Sequence, residues 1–555
     1  MVGEVLCDLM QPTLMSEIVD KGVLASNMPI IWKCGLIMIC VAVLGGIAGL
    51  GSAGFASAAS QSFGRDLRKD VYSRIMTLSL EQTDRFTTGS LITRLTNDIT
   101  VVQDLVAMAL RMFVRSPLMF LGGIVMALTI SPKFAIVLTV SLPIQLAGIW
   151  LIIGKAGPIF SQLQSKIDSV NSVVQENVSG ARVVKAYVSE EREEARFETA
   201  NRNLMEVNLK VAKIFARLGP SLSIVMNLSV IVIIYVGGLQ IDAQELQVGK
   251  VMAAVTYTTQ VLMSIMMVSM MFVFASRAKA SADRIREVLD TYPIIKSGEI
   301  DKPFNDSSVE FDNVSFSYPT GSGREVLTDI SFKINSGEKI AILGSTGSGK
   351  STLISILPRF YDVNSGRVLV GGVNIKNYKL DRLRSEIAVV LQKSELFSGT
   401  IRENILWGKP DATDEEILEA SKVAQADEYI SRFNDGYETM VGEKGTSLSG
   451  GQRQRMCIAR AIIRKPKILI FDDATSALDL ATEAKLREAL NEQLADTTVI
   501  MIAQRIASVK NSDRILVLDE GKIVGYAPHN ELMKSCPVYI DIYNSQNKKE
   551  DGTNE

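Results

Sequence analysis

Four stretches of this chain carry no charged residue and are long enough to cross a bilayer: Cys34–Gly64, Phe134–Gly154, Leu218–Ile241 and Val251–Ser276. A helical span needs about 20 apolar residues, because every backbone amide inside the hydrocarbon must be bonded within the segment. A fifth run, Ser116–Pro132, reaches that length if it extends back through Leu105–Leu110 with Arg111 and Arg115 inside. A sixth candidate, Val2–Val19, carries Glu4, Asp8, Pro12 and Glu17. Such a segment of roughly 18 residues reaches only ~27 Å and would not insert on hydropathy alone. Together these runs explain a mean hydropathy of +0.19, high for a water-soluble enzyme.

Loop charges orient the spans. Arg65, Arg68, Lys69, Arg74, Arg85 and Arg94 crowd one connection, and the long segment Lys155–Arg217 is also rich in Lys and Arg. The short linkers Asp20–Pro29, Ser131–Lys133 and Asp242–Lys250 carry few cations. The positive-inside rule places the two long segments in the cytoplasm, together with both chain ends. Each long segment reads as membrane helices continuing into the cytosol and turning near a glycine, at Phe86–Gly89 and at Ser179–Ala181. A solvated hairpin without a contact role is the alternative for both. The amino terminus has no basic n-region and no cleavage site, so insertion is expected through the internal spans. Five scattered cysteines suit a reducing compartment or membrane burial better than a disulfide framework. A net charge of −2 provides no field for nucleic acid.

Arg111 and Arg115 share one helix face, and Asp8 is the obvious partner within the membrane; the other reading has both arginines snorkelling to the headgroups. The last span contains Met252, Met263, Met266, Met267, Met270 and Met271. Flexible, polarisable thioethers suit a surface that accepts differently shaped apolar ligands, although such residues also pack between helices or face lipid.

The second half is organised around nucleotide. The strand Lys339–Leu343 runs into Gly344-Ser345-Thr346-Gly347-Ser348-Gly349-Lys350-Ser351-Thr352, the phosphate-binding loop in its strand-before, helix-after context. Its backbone N–H groups curl around phosphates at a helix N-terminus, Lys350 reaches the β/γ oxygens, and Ser351 holds Mg²⁺. Further on, Lys467–Asp479 (KILIFDDATSALD) reads as a buried parallel strand, Ile468–Phe471, delivering Asp472 and Asp473 to its carboxyl end. Asp472 is then the Mg²⁺ carboxylate. Between them, Leu448-Ser449-Gly450-Gly451-Gln452 opens a helix and forms a second anion site. Two phosphate-binding helix ends on one chain suggest that two chains share each nucleotide.

LSGGQ, the phosphate loop and the carboxylate strand together resemble the signature of ABC transporter ATPases. With about six spans fused ahead of it, the chain resembles an exporter-type half-transporter of the multidrug and lipid-flippase class. The fold implied is an all-α transmembrane domain plus an α/β P-loop ATPase domain. The expected boundaries are 1–285 for the membrane domain, 286–304 for a linker, 305–543 for the ATPase domain, and 544–555 for a polar, disordered tail. The resemblance implies two chains sandwiching two ATP and Mg²⁺, each between one chain's phosphate loop and the other's LSGGQ. It implies that Tyr318 stacks on adenine and that Gln392 contacts Mg²⁺ and the attacking water. It also implies that Glu443 contacts the cytoplasmic helices, that Ser476–Asp479 crosses the dimer interface, and that the turns near Gly89 and Gly180 are coupling helices. Related exporters have an elbow helix and a full first span, whereas Val2–Val19 looks like only the outer half of one. A misassigned start, a truncation, and a short helix held by its neighbours all fit.

Two positions depart from the family. Asp473 stands where a Glu normally polarises the attacking water, and Gln504 stands where a His normally contacts the γ-phosphate. One lost methylene withdraws the carboxylate by roughly 1.5 Å, and displacements of that order can cost about 100-fold in rate. The only histidine, His529, is far downstream. The expectation is a heterodimer in a bacterial plasma membrane, with the ATPase domain cytoplasmic. This chain's own site would hydrolyse slowly, and the pair would export amphipathic small molecules or lipids. A regulatory ATP-sensing subunit and a homodimer with weak ATPase activity are the alternatives. The spans exclude a soluble repair or translation ATPase, and their fusion to the ATPase domain argues against an importer.

Overall fold

The computed structural model describes residues 1–319, 323–503 and 505–551. The chain divides into two compact units, one of residues 1–74 and 89–290, the other of residues 75–88 and 291–555.

The first unit is helical. Its long helices are α1 (Val2–Glu17), α2 (Met28–Thr77), α4 (Ile99–Ile130), α5 (Pro132–Ser179), α7 (Glu190–Asp242) and α8 (Val248–Leu289), with the short α6 (Ala181–Ala186) between α5 and α7. Among the described residues, five helices are long and apolar enough to cross a membrane: Met28–Thr77, Thr88–Ile130, Pro132–Ile152, Glu190–Asp242 and Val248–Val268. At 50, 48 and 53 residues, α2, α5 and α7 each exceed ~70 Å, more than twice the hydrocarbon thickness, so they project well beyond it. Ser131 separates α4 from α5. Its side chain accepts from Lys133 N, and Pro132 occupies the first turn, where no N–H is needed.

Small residues set the closest approaches. A Cβ on Gly123 would fall 2.6 Å from Val261 Cγ2, and one on Gly237 would fall 2.7 Å from Val251 Cγ1. Buried hydroxyls tie α5 to α7, with Ser141 Oγ 2.7 Å from Ser229 Oγ. In hydrocarbon, such close backbone packing and interhelical hydrogen bonds replace the hydrophobic drive.

Helix α1 is held by its neighbours despite its charges. Val5 and Leu9 pack with Met119, Ala253 and Tyr257, and the Tyr257 hydroxyl donates to Leu9 O at 2.5 Å. Arg115 answers two carboxylates rather than one, Glu4 at 2.9 Å and Asp8 at 3.0 Å, while Arg111 is exposed. Near the carboxyl-terminal end of α8, buried Asp98 accepts from Ser281 Oγ at 2.9 Å and Arg284 Nε at 2.8 Å, and Arg94 pairs with Glu287 at 2.8 Å. In the methionine-rich stretch, Met252, Met263 and Met267 are exposed and Met271 is buried, while the Met270 side chain lies outside the described residues.

The second unit contains two main sheets. The antiparallel one has the order β2 (Leu327–Ile334), β1 (Val309–Phe316), β4 (Ser365–Val370), β5 (Val373–Asn374). The six-stranded one has the order β10 (Lys522–Ala527), β9 (Arg514–Asp519), β3 (Lys339–Gly344), β8 (Thr498–Ile502), β7 (Ile468–Asp472), β6 (Ile387–Val390). All its neighbours are parallel except β9 and β10. Every residue of β7 is buried, which is why its sequence is a continuous apolar run rather than an alternation. The register Ile342–Ile502–Asp472 sets the carboxyl ends of β3, β8 and β7 side by side. That edge is where ligands bind in open α/β sheets.

Helix α3 (Leu80–Phe86) belongs to this second unit. Its Gln82 amide donates to Tyr292 O at 2.7 Å, and its Asp84 carboxylate accepts from the Tyr361 hydroxyl at 3.1 Å. A solvated hairpin without a contact role therefore does not describe this turn. The helix ends before Gly89, at Thr87, whose φ of +59° breaks the ladder. The carboxyl-terminal stretch read as a disordered tail differs too. Helix α12 (Pro537–Asp551) enters it as far as Asp551, the last described residue, and is anchored upstream where Cys536, Tyr539, Ile542 and Tyr543 pack in one apolar cluster.

Candidate functional site

The phosphate loop connects β3 to α9 (Lys350–Ile356) and depends on glycines at specific points. Gly344, at φ +158°, would place a Cβ 2.1 Å from Leu518 O, and Gly349, at φ +98°, would place one 2.8 Å from Leu327 Cδ2. No side chain fits at either point, so the loop stays open to backbone N–H groups. A cavity of about 500 Å³ is lined by Gly344–Gly347, Gly349–Thr352, Gln392, Asp472 and Asp473, with Val326, Leu343, Ile502, Ile542 and Gln546.

The charges are arranged for an anion and a cation together. Lys350 Nζ donates to Gly344 O at 3.0 Å and Ser345 O at 2.7 Å, holding the ammonium over the loop. Burial pushes the Lys350 pKa down, against the opposing pull of Asp472 and Asp473. Ser351 Oγ donates to Asp472 Oδ1 at 3.0 Å. Burial pushes the Asp472 carboxyl up, the Ser351 hydrogen bond draws it down, and the Asp473 charge pushes it up again. Two buried carboxylates facing one lysine leave an excess of negative charge that a divalent cation would neutralise. The buried Ser348 hydroxyl has no hydrogen-bond partner among the described residues. That orphaned group and the cradle at Gly344 and Gly349 fit nucleotide phosphates, and Ser351, Asp472 and Gln392 fit Mg²⁺ beside them.

Asp473 follows Asp472 directly and is 8% exposed. Its backbone has φ +49°, and its N–H donates to Ile502 O at 3.1 Å. Aspartate tolerates the left-handed region better than most residues because its short side chain bonds locally. Gln504 lies outside the described residues, two positions beyond the end of β8.

Tyr318 stands next to the loop. Its hydroxyl is 3.0 Å from Thr352 Oγ1, and its ring packs edge-on against Phe316 and Tyr361. It lines a neighbouring cavity of about 430 Å³ shared with Ser345–Ser348.

The LSGGQ segment is built separately. Ser449 caps helix α10 (Gly450–Ile462): its Oγ accepts from Gln452 N at 3.3 Å, and Gln452 Oε1 accepts from Ser449 N at 2.8 Å. This reciprocal box leaves the first helical N–H groups aimed outward. Leu448 is buried as an anchor, Ser449 and Gly450 are exposed, and none of Leu448–Gln452 lines the phosphate cavity. A Cβ on Gly451 would lie 3.1 Å from Ala477 O, and Ala477 N donates to Gln454 Oε1 at 3.1 Å. The signature helix therefore packs on Ser476–Asp479, which leads into α11 (Leu480–Gln493). Glu443 is exposed on a short helical turn.

The structure thus brings together the phosphate loop, Gln392, Asp472 and Asp473, with Tyr318 at its margin, and leaves LSGGQ outside. Sequence reading overlooked Ile542 and Gln546. Their spacing from Tyr539 on one helical face was the available signal, masked by the polar residues around them.

Comparison with known proteins accords with this geometry. Residues 2–265 match the ABC transporter transmembrane region, and residues 327–476 match the ABC transporter ATPase family model. An uncharacterised ABC transporter ATP-binding protein of Bacillus subtilis is 40% identical over 98% of this chain and 95% of its own length. A multidrug efflux ATP-binding/permease protein of Mycobacterium tuberculosis is 36% identical over 86% of this chain and 40% of its own length. Among solved structures, a bacterial Atm1-family ABC exporter with ATP bound superposes with a TM-score of 0.83 at 27% identity, covering 98% of this chain and 97% of that one.

Proposed function

The chain belongs to the ABC transporter family as a half-transporter, and from that premise we propose that it exports amphipathic or hydrophobic compounds as one half of a heterodimer. Its own ATP site would hydrolyse slowly. The observation that carries the reading is the separation of Leu448–Gln452 from the phosphate cavity of the same chain. A site built from one chain lacks its second anion-binding helix end, so a second chain must supply it.

In the composite site built on this chain's phosphate loop, Lys350 and the loop N–H groups would hold the phosphates. Ser351, Asp472 and Gln392 would hold Mg²⁺, which supplies charge neutralisation on the transferring phosphoryl group. Asp473 would orient the water from a carboxylate set back by one methylene, and Gln504 would bond the γ-phosphate without carrying a proton. The intact LSGGQ would complete the partner's site. Such a division favours a partner that carries the usual Glu and His. The multidrug efflux relative supports the substrate class, and the exposed Met252, Met263 and Met267 are suited to adaptable apolar contact. The boundaries 1–285, 286–304 and 305–543 belong to the same proposal.

Purifying the chain by itself, and then with whatever polypeptide copurifies from its own cell, tests the proposal. The expected result is feeble ATP turnover alone and strong turnover in the pair. Robust turnover by the chain alone would instead make it a homodimer. The regulatory reading, in which the chain gates a partner without moving substrate, predicts that Lys350→Ala in this chain changes turnover by the pair but leaves vesicle uptake per ATP unaltered.

A further inference from the structure

The carboxyl-terminal helix reaches the nucleotide cavity. Ile542 and Gln546, one turn apart on α12, both line it alongside the phosphate loop and the two aspartates. The Gln546 carbonyl Oε1 accepts a 2.8 Å hydrogen bond from Ile506 N. Ile506 opens the short turn Ile506–Ser508, two residues after position 504 and four after the end of β8 at Ile502. An N–H at that point has no strand neighbour, so a side chain forty residues later satisfies it.

The helix is fixed upstream of Gln546 on the same face. Tyr539 is fully buried, and its hydroxyl lies 2.7 Å from His529 Nδ1. Cys536 and Tyr539 share one apolar cluster with Leu343, which leads into the phosphate loop, and with Ala503 and Ile506, which flank the Gln504 position. The helix therefore packs on the strand that leads into the phosphate loop and on the turn Ile506–Ser508 beyond β8. Its far end supplies the hydrogen bond that fixes the latter.

We propose that Gln546 is a positioning residue for ATP hydrolysis, setting the 503–508 loop through the Ile506 amide. In this arrangement α12 is a working part of the catalytic site rather than a trailing appendage. The inference rests on the reading of the cavity as an ATP site. It does not depend on how fast that site turns over.

The test uses the full chain in lipid nanodiscs, comparing Gln546→Met, which removes the acceptor amide at similar size, with Gln546→Glu, which keeps an acceptor oxygen. Hydrogen–deuterium exchange of the 503–509 segment, ATP affinity, and single-turnover hydrolysis of bound ATP are measured for each. Loss of this half-buried hydrogen bond should speed exchange of that segment and slow single-turnover hydrolysis, each by about fivefold. ATP affinity should stay within about twofold, because the phosphate loop is untouched. Gln546→Glu should restore both exchange and rate. Unchanged exchange in Gln546→Met, equal defects in the Met and Glu variants, or parallel loss of affinity and rate would each overturn the proposal. Gln546→Ala is the second variant should the methionine substitution not fold. If the wild-type site proves fast, the slow-site reading fails while the ratio between variants still decides this one. If it hydrolyses nothing, the exchange measurement decides alone.

Discussion

Ser351 Oγ donates a 3.0 Å hydrogen bond to Asp472 Oδ1, joining the start of α9 to the carboxyl end of β7 across 121 residues of sequence. The two oxygens that would hold Mg²⁺ are thus already neighbours, each fixed by a different element. Pre-organisation of this kind lowers the cost of recruiting the ion. Asp472→Asn should therefore abolish the strengthening of ATP binding by Mg²⁺, while metal-free ATP affinity changes little. Titrating nucleotide with and without a chelator checks this. A Mg²⁺ effect that survives in the variant would reassign the ion to other groups.

Asp473 and Gln504 are expected to set the turnover of this site. The pair Asp473→Glu with Gln504→His should raise single-site hydrolysis, on the order of tenfold to 100-fold, by returning the carboxylate and the imidazole to the phosphate. Because Asp473 sits at φ +49°, the glutamate should also lower thermal stability slightly. Equal rates before and after substitution would show that the site is limited by something other than these two side chains.

Ser449→Ala removes the acceptor that caps α10. Loss of such a cap costs about 1 kcal/mol of local stability. Its larger effect should fall on the composite site completed by this signature, seen as reduced ATP turnover by the assembled transporter with unchanged ATP affinity at this chain's own phosphate loop. Labelling each site with a photoreactive nucleotide separates the two.

Asp98 links the start of α4 to the carboxyl-terminal end of α8. Burial pushes its carboxyl up, yet the hydrogen bonds from Arg284 and Ser281 and the charges of Arg284 and Arg94 hold it below the ordinary aspartate value. A depressed folded-state pKa stabilises the protein above the unfolded value, and that contribution is lost as pH falls through the folded one. Asp98→Asn should lower stability by roughly 1–3 kcal/mol at neutral pH, given that Arg284 is half exposed. The gap from wild type should close only below about pH 3.8, in unfolding followed by intrinsic fluorescence.

Arg115, about half-way along α4, pairs with Glu4 and Asp8 of α1. Asp8→Asn leaves that guanidinium one carboxylate and should reduce uptake of cationic amphiphiles relative to neutral ones in vesicles. An equal effect on both classes would make the cluster a structural pin.

Much of this could be read from residues alone. Charge-free runs of about 20 residues specify helices in a bilayer because only a helix satisfies all its amides within one such segment. The phosphate loop, the β7 aspartates and LSGGQ could be located because glycine, lysine and carboxylate at those spacings have few other physical uses. Position 473 was legible as a departure only through the family resemblance that those motifs carry.

What the chain order could not disclose was proximity between distant segments. The sequence names Asp8 as the partner of Arg115, but only packing of α1 on α4 adds Glu4. It makes the tail beyond Asn544 look unstructured, because Asn, Gln and Lys there contribute little burial. Docking of Tyr539 and Cys536 against the β3 and 503–509 segments orders that helix and delivers Gln546 to Ile506. Local composition determines which segments span, strand or cradle phosphate, since those choices rest on burial and backbone freedom within a few residues. The partners of a buried hydrogen-bonding group are decided only when the sheet registers and helices close, since satisfying it requires whichever atom the fold places within 3 Å.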